Sequence, residues 1–395
     1  MTAISREREG PLIGDRNLQI VLALTTTSML GVGSLSPAFP QIMQEFGLNS
    51  HEVGLLITVY TAPGIVLSPL AGLAADRLGR KRVIAIGLLI FAASALACAF
   101  APNFEALVLL RFLQGVGGSP LTALNNTVLG DIFSGRRRME ALGYNQSVSS
   151  VSALCHPLLG GAAALAGWRY PMLLPLTALP VAWLVAFHLD DPTPTHRSSL
   201  GGYFASAAKG IFDRGMLALY LVNFTNIMVI YGVNLVYLVV LIKERYAASP
   251  LEIGIVVATS AAVSGLVGTQ AARISDLMSP RQMIVVGMVV SGIGITLNLY
   301  MSGLWWLMIP AFIRGLGQGV LNPALYSTII DRAPTEGRAA VMGFSSTMFR
   351  SGQTFGPLIF GGVFALGGYE AVFLGGLAIT LAATGVVAAM LKSSA

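Results

Sequence analysis

Long apolar segments, separated by short polar stretches, dominate the hydrophobic pattern of the chain. A helix needs roughly 20 predominantly apolar residues to span the hydrocarbon core of a bilayer. About twelve segments of that length occur, at residues 18–43, 53–75, 83–101, 104–130, 139–166, 168–189, 216–242, 251–272, 282–302, 304–330, 339–366 and 370–391. We therefore predict an all-α membrane protein with twelve transmembrane helices joined by mostly short loops.

The composition agrees with this interpretation and excludes soluble classes of protein. Of the 395 residues, 54% are hydrophobic and only 11% are charged, whereas soluble domains carry roughly 25% charged residues. Such a charge deficit excludes a disordered chain and an ordinary soluble enzyme. Because Lys and Arg accumulate in cytoplasmic loops, we interpret the net charge of +6 as a topology signal. No nucleic acid partner is predicted.

The distribution of Lys and Arg predicts the orientation in the membrane. If the N-terminus is inside, 18 of the 24 Lys and Arg residues fall at cytoplasmic positions, three outside and three within membrane segments. This bias predicts that both termini are cytoplasmic. We expect a multi-pass protein of the cell membrane, the inner membrane of a bacterium, that lies in the bilayer as a monomer.

A shift of 200 residues superimposes one half of the chain on the other. It takes Asp76 to Asp276 and Pro157 to Pro357, together with several glycines. Since each half holds an even number of spans, both halves keep the same orientation, as in parallel transporter repeats. The predicted organisation is an N-terminal six-helix bundle over 1–189, a cytoplasmic linker over 190–215 and a C-terminal six-helix bundle over 216–395.

The loop after the second segment carries the most specific motif, Gly72-Leu-Ala-Ala-Asp76-Arg77-Leu-Gly79-Arg80-Lys81-Arg82. It resembles the signature loop of the major facilitator superfamily. In the fourth segment, Arg111-Phe-Leu-Gln114-Gly115-Val-Gly117 resembles a motif of the drug:proton antiporter branch of that superfamily. The resemblance covers essentially the whole chain. It implies the major facilitator fold, with two pseudo-symmetric six-helix bundles around a central cavity, and secondary active transport by alternating access.

The signature loop also contains a candidate conformational latch. In relatives a charge cluster in this loop latches the outward-facing state, and the resemblance carries that role to Gly72, Asp76, Gly79, Arg80 and Asp131. Asp131, at the end of the fourth segment, is the expected partner of Arg80. The alternative is that the cations only set the orientation in the membrane, although orientation alone does not require Gly72, Asp76 and Gly79 at fixed spacing.

Charge within the predicted membrane segments is confined to arginine. All 18 acids fall at segment ends, in loops or in the tails, whereas Arg111, Arg314 and Arg350 lie inside segments. Intramembrane charges are functional candidates by default. Polar residues at helical spacing accompany them on segments that line, or lie beside, the central cavity of the superfamily. The predicted substrate-binding residues are Arg111, Gln114, Asn125, Asn226, Asn234, Tyr237, Arg314, Gln318, Asn322 and Arg350.

Each of these residues also has a structural interpretation. Arg111 is equally well explained by pairing with backbone or with neighbouring helices, and the asparagines by hydrogen bonds between helices. Arg314 and Arg350 occupy different repeat positions, so the shared scaffold does not impose them. In the fifth segment, His156 stands where the antiporter motif of that branch has glycine. His156 is either a satisfied core residue or a proton-coupling group.

A cavity with arginines and no carboxylates favours an anionic substrate, because guanidinium groups form charge-assisted hydrogen bonds with acids. We therefore predict efflux of amphiphilic small molecules with a preference for anions. The alternative is uptake or flipping of an organic acid or lipid-like anion by proton symport or exchange.

An enzyme is not expected. None of the four histidines is paired at ligand spacing, and the chain has neither a nucleotide-binding loop nor a Gly-x-Ser-x-Gly motif. No metal and no cofactor are predicted. The expected partners are a small-molecule substrate, the lipid bilayer and, if His156 titrates, protons.

Overall fold

The computed structural model describes residues 12–190, 213–333 and 338–391, except for the side chains of 338–340. Within these ranges the chain is almost entirely helical and contains no β-strand, which confirms the predicted all-α fold. Most of the predicted linker, residues 191–212, lies outside the described residues. The domain boundaries at 189 and 216 therefore stay predictions.

Twelve long helices follow one another along the described ranges, in agreement with the twelve predicted spans. Those of the first half are α1 (Arg16–Phe46), α2 (Ser50–Leu78), α3 (Arg80–Ala99), α4 (Phe104–Ile132), α5 (Gly135–Ala164) and α6 (Pro171–His188). Those of the second half are α7 (Arg214–Tyr246), α8 (Pro250–Gly268), α9 (Pro280–Tyr300), α10 (Met308–Arg332), α11 (338–366) and α12 (369–390). The last two share the stretch Arg338–Met390, which loses helical geometry at Gly367 and Gly368.

Nine helical stretches within the described ranges are long and apolar enough to cross a membrane, with α11 and α12 counted as one stretch. The helices α5 and α10 are not among the nine. Both carry polar side chains along their length, such as Gln146 and Gln318. Polar side chains are costly in contact with lipid, so these two helices are suited to line a polar space inside the protein.

Acidic and hydroxyl side chains cap the N-termini of several helices. The carboxylate of Asp15 accepts hydrogen bonds from the backbone N–H groups of Asn17 and Leu18 at 2.9 and 3.3 Å, at the start of α1. Ser249 and Glu252 form a reciprocal capping box at the start of α8. These side chains satisfy N–H groups that have no partner within the helix. The acids at these helix ends therefore stabilise the scaffold.

The 200-residue repeat is visible in the packing of the helices. In the first half, a Cβ atom at Gly87 would lie 2.9 Å from the carbonyl oxygen of Gly117, so α3 and α4 cross with their backbones in contact. In the second half, a Cβ atom at Gly287 would lie 2.8 Å from the carbonyl oxygen of Gly317. Glycine permits this close approach. The equivalent crossings show that the two halves are built alike.

The halves contact each other through two equivalent helix pairs, α5 with α8 and α2 with α11. Gly254 faces Pro157 in the first pair, and Gly54 faces Pro357 in the second, again at positions 200 residues apart. These contacts lie toward the helix ends remote from the α2–α3 loop. We call that end the closed side, and the end that carries the α2–α3 loop the loop side.

Polar side chains of both halves are exposed at the loop side, and we call the space between them the polar cavity. Exposed polar side chains lie on the loop-side parts of four helices, at Asn126 in α4, Gln146 in α5, Ser327 in α10 and Ser346 in α11. Contacts between the halves at the closed side and exposed polar groups at the loop side are the arrangement expected of an alternating-access state open at the loop side.

Candidate functional site

Arg350 reaches from one half of the protein to the other at the middle of the helix bundle. Its Nη2 donates a hydrogen bond to the hydroxyl of Thr122 in α4, and its Nη1 donates to Gln353 Oε1 at 3.4 Å. The side chain passes Gly64 of α2, where a Cβ atom would lie 3.2 Å from Arg350 Cδ. The guanidinium of Arg350, a residue of the second half, therefore lies against Gly64 and Thr122 of the first half.

Polar and aromatic groups surround this guanidinium. Tyr60 of α2 and Tyr231 of α7 both lie close enough to interact electrostatically with Arg350, and Tyr231 also lies near Gln353. Tyr326 of α10 lies near Tyr231, and both tyrosines are partly exposed. The site thus combines one fixed positive charge with an amide and two phenol groups. Such a set suits an amphiphilic molecule that carries an acid group, because cation, hydrogen-bond donors and aromatic faces lie together.

Several residues of this site carry no clear signal in the sequence. Gly64 is one of 45 glycines, and only its contact with Arg350 distinguishes it. Tyr231 follows Asn226 by five residues, a spacing that an α-helical pattern does not select. Thr122 shares an α-helical face with Arg111 and Gln114. The spacing of residues along α4 cannot, however, predict that Thr122 contacts Arg350 of α11.

Arg111 lies inside the first half, with 1% of its surface exposed. Its Nη2 donates to the carbonyl of Gly31 in α1 at 2.7 Å, and its Nε donates to the carbonyl of Leu56 in α2 at 3.3 Å. Its Nη1 donates to Gln114 Oε1 at 2.7 Å, and the guanidinium stacks 4.5 Å from the centre of the Tyr60 ring. These contacts favour the structural interpretation of Arg111 and Gln114, as a link between α1, α2 and α4.

Arg314 remains within the second half. Its Nη2 donates a hydrogen bond to the hydroxyl of Ser260 in α8, and the residue is 7% exposed. The neighbouring Gly315 packs closely against the same turn of α8. Of the three arginines within the membrane segments, only Arg350 has a described hydrogen bond that joins the two halves.

The other polar residues predicted in α7 and α10 form a hydrogen-bonded network between helices. Gln318 Nε2 donates to Asn226 Oδ1 at 2.7 Å and to the hydroxyl of Ser291 in α9 at 3.1 Å. Asn226 Nδ2 donates back to Gln318 Oε1 at 3.2 Å. Asn322 lies at the edge of this network, 3.5 Å from Gln318 Oε1, and is partly exposed. Asn322 therefore retains amide groups for a ligand, whereas Asn226 and Gln318 satisfy each other.

A comparable network joins α1, α4 and α5 in the first half. Asn125 Nδ2 donates to the hydroxyl of Thr25 at 2.6 Å, and that hydroxyl donates to Asn145 Oδ1. Asn145 Nδ2 donates in turn to Asn126 Oδ1 at 2.9 Å. Only Asn126 is exposed, on the loop side. Asn125 therefore lies behind the surface of the cavity in this conformation.

The structure places Asn234 and Tyr237 further along α7 toward the closed side than Asn226, within a turn that is not α-helical. Residues Ile230–Tyr237 adopt a π-helix, whose wider turn shifts the angular position of every later side chain. Asn234 and Tyr237 are buried on the closed side, where the Tyr237 ring stacks on Phe364 with a centroid distance of 5.0 Å. In this state their surroundings suit contact between the halves at the closed side rather than contact with a ligand at Arg350.

His156 lies between α1 and α5 and is 2% exposed. A Cβ atom at Gly33 would lie 3.2 Å from His156 Cβ, and the imidazole is hydrogen-bonded to the backbone of Met29. These contacts fit the interpretation as a satisfied core residue, and coupling to protons stays a prediction for this residue.

The predicted latch residues assemble at the loop side. Arg80 forms an ion pair with Asp131 at the end of α4, and a second, longer one with Asp76 at 3.8 Å. Gly79 has a φ of +88°, which glycine adopts without strain, and it makes the turn from α2 to α3. Among the residues that the structure describes, no neighbouring helix comes within 4 Å of a Cβ placed at Gly72. Gly72 instead borders a small cavity of about 220 Å³ beside Asp76 and Arg80.

Two segments of the chain, residues 21–229 and 219–394, match the family model of the Major Facilitator Superfamily. The chain belongs to the Major Facilitator Superfamily. Like other members of the Major Facilitator Superfamily, it is a multi-pass membrane transporter of small substrates and not an enzyme.

Individual members of the Major Facilitator Superfamily resemble it along most of its length. Quinolone resistance protein NorA of Staphylococcus aureus is 23% identical over 341 residues, which cover 85% of this chain and 86% of that protein. The bacillibactin exporter of Bacillus subtilis is 25% identical over 370 residues, which cover 87% and 89%. A crystal structure of a mutant of the nucleoside transporter NupG has a TM-score of 0.80 at 14% identity, and covers 95% of this chain and 100% of that one. The last likeness confirms the fold.

Proposed function

We propose that this transporter exports amphiphilic small molecules and prefers those that carry an acid group. The observation that carries the proposal is Arg350, a guanidinium that joins the two halves beside the polar cavity. Every carboxylate within the described ranges lies in a loop or within two turns of a helix end. The fixed charge available to a ligand near Arg350 is therefore positive.

The direction of transport follows from the proposed orientation. If the loop side is cytoplasmic, as the distribution of Lys and Arg predicts, the cavity is open to the cytoplasm and ready to accept an internal substrate. Export of an anion from a negative interior is favoured by about 2.3 kcal/mol per charge for each 100 mV. The name of one bacterial relative, the bacillibactin exporter, also supports export.

The charge cluster at the loop side supports the proposed latch. In the structure the cluster ties Arg80 to Asp76 and Asp131 within the first half. The small cavity beside Gly72 leaves room for a helix of the second half to pack there when the loop side closes. We propose that this packing holds the outward-facing state.

Replacing Asp76 with asparagine is expected to reduce transport at least tenfold while the protein still inserts in the membrane, because the substitution weakens the ion pair with Arg80. Initial transport rates, normalised to the amount of protein in the membrane, measure this effect. Asp276, the repeat counterpart in the loop after α8, is the matched control. Equal transport by Asp76→Asn, Asp276→Asn and the unchanged protein would show that the cluster is not a latch.

Counterflow in proteoliposomes tests the proposed function. We suggest anilinonaphthalenesulfonate as an amphiphilic anion and ethidium as an amphiphilic cation, each with and without imposed membrane potential and pH gradient. Faster counterflow of the anion, accelerated in the outward direction by a negative interior, is the expected result. Preference for the cation would refute the anion preference, and accumulation driven inward would support uptake instead. A pH-gradient response that disappears in His156→Gln would assign proton coupling to His156.

A further inference from the structure

The hydrogen bond between Arg350 and Thr122 has no counterpart elsewhere in the repeat. The shift of 200 residues takes Ser150 to Arg350 and Thr122 to Asn322. Ser150 donates its hydroxyl to the carbonyl of Gln146 within α5, so the equivalent bond between halves is not formed there. The shared scaffold therefore does not impose the contact, and it belongs to the particular function of this chain.

Thr122 is oriented to accept a hydrogen bond. Its hydroxyl proton is donated to the carbonyl of Ser119, one turn earlier in α4, at 3.2 Å. A hydroxyl has one proton and two lone pairs, so the lone pairs of Thr122 remain for Arg350. Thr122 therefore accepts a hydrogen bond from the guanidinium, as the acid group of a ligand would. Because Thr122 is neutral, this hydrogen bond is weaker than one to a carboxylate.

Gly64 is a second residue of the first half that contacts Arg350. A Cβ atom there would lie 3.2 Å from Arg350 Cδ and 3.3 Å from Nε, so a larger residue would require the Arg350 side chain to shift by a few tenths of an ångström. The backbone of α2 at this position is helical and has a negative φ, so glycine is not needed for its conformation. The space it leaves is what lets Arg350 reach across to α4.

We propose that Thr122 is a positioning residue that holds Arg350 across the interface in the substrate-free protein and competes with the substrate for it. The hydrogen bond stabilises the state that is open at the loop side. An anion that binds Arg350 accepts this hydrogen bond in place of Thr122, and α11 is then no longer bonded to α4. The halves therefore reorient mainly when an anionic ligand is present. This inference rests on the proposed function, because it needs an anionic substrate at Arg350.

The competition explains how selectivity and movement are coupled without a buried carboxylate. A ligand shifts a conformational equilibrium only by its differential affinity for the two states. A cation gains nothing at Arg350 and leaves the hydrogen bond to Thr122 in place. An anion exchanges a neutral acceptor for a charged one, so anionic ligands alone release the contact.

Distance measurements between the halves test the inference. Met139 in α5 and Leu277 in the loop after α8 are 71% and 85% exposed at the loop side, and cysteines there accept spin labels after Cys98 and Cys155 are replaced by alanine. The labelled protein, in lipid nanodiscs, is measured with no ligand, with anilinonaphthalenesulfonate and with ethidium. We expect long distances without ligand and with ethidium, and a shift to short distances with the anion.

Three substitutions separate positioning from mere structural support. In Thr122→Val, which keeps the shape of the side chain, the ratio of long to short distances without ligand is expected to fall roughly tenfold. Gly64→Ala displaces Arg350 and is expected to shift the ratio in the same direction. Thr122→Ser retains the hydroxyl and is expected to match the unchanged protein, with all three variants keeping its melting temperature within a few degrees.

The outcomes distinguish this inference from the proposed function. If the unchanged protein transports the anion but Thr122→Val has the same distance distribution as Thr122→Ser, the inference is wrong and the proposed function stands. If the anion is not transported at all, the proposed function is wrong, and the inference that rests on it is wrong with it. A Thr122→Val protein whose substrate-free distances shorten while anion transport persists supports both.

Discussion

Replacing Arg350 with glutamine is expected to weaken transport of an anionic substrate by one to two orders of magnitude. A hydrogen bond to a charged group contributes about 1.5–3 kcal/mol, and each 1.4 kcal/mol is about a factor of ten in affinity. The side chain donates to Thr122 and Gln353, two neutral acceptors on the edge of the cavity. Removal of the charge therefore affects the ligand far more than the fold. Concentration dependence of transport in proteoliposomes measures the change.

Two further variants make this prediction specific. Arg350→Lys keeps the positive charge but not the planar pair of donors, so an intermediate loss of anion transport is expected. Ser346, one turn away on α11, also borders the cavity but donates its hydroxyl to the Met342 carbonyl of its own helix, so Ser346→Ala is the matched control and should lower transport far less than Arg350→Gln. An Arg350→Gln protein that transports the anion at the full rate would exclude Arg350 from the substrate site.

Replacing Arg111 with methionine is expected to destabilise the protein rather than to change its substrate affinity. The guanidinium is the hydrogen-bond partner of the Gly31 and Leu56 carbonyls and of the Gln114 amide, all within the first half. Each buried acceptor that loses its partner costs about 1–3 kcal/mol. Packing of α1 and α2 against α4 should weaken accordingly. We expect a low yield of folded protein and a clearly reduced melting temperature in detergent.

The substrate constant of the surviving Arg111→Met protein decides between the two interpretations of this residue. An unchanged apparent affinity in the folded fraction supports the structural role. An unchanged melting temperature together with a weaker apparent affinity for the substrate would instead show that Arg111 belongs to the substrate site. Arg111→Lys, which retains a charge but reaches fewer of the three acceptors, should lie between the two in stability.

The architecture could be predicted from the sequence because it depends on local and repeated patterns. Hydropathy over windows of one span predicts the helices, because the bilayer excludes polar groups irrespective of tertiary contacts, whereas the orientation inferred from cations between spans stays a prediction. The repeat also predicts packing, since glycines that recur after 200 residues, such as Gly87 and Gly287, make equivalent crossings. The capping box of Ser249 and Glu252 is likewise local, since its two residues lie three positions apart.

The roles of the polar residues could not be predicted in the same way. Helical spacing places Arg111, Arg314 and Arg350 in membrane segments, but it does not tell which helix each side chain meets. In α7, residues Ile230–Tyr237 adopt a π-helix, which α-helical spacing does not predict. Gly232 within this stretch packs against Gly356 of α11, a contact that no period in the sequence records.

The sequence by itself therefore determined the helices, the repeat and the restriction of intramembrane charge to arginine, since each follows from the cost of polar groups in lipid. Only the tertiary structure decided that Arg111 holds α1, α2 and α4 together and that Arg350 reaches Thr122 across the interface. These two arginines are chemically identical. Their surroundings differ because the rotation and neighbours of each helix are set by contacts between residues far apart in the chain.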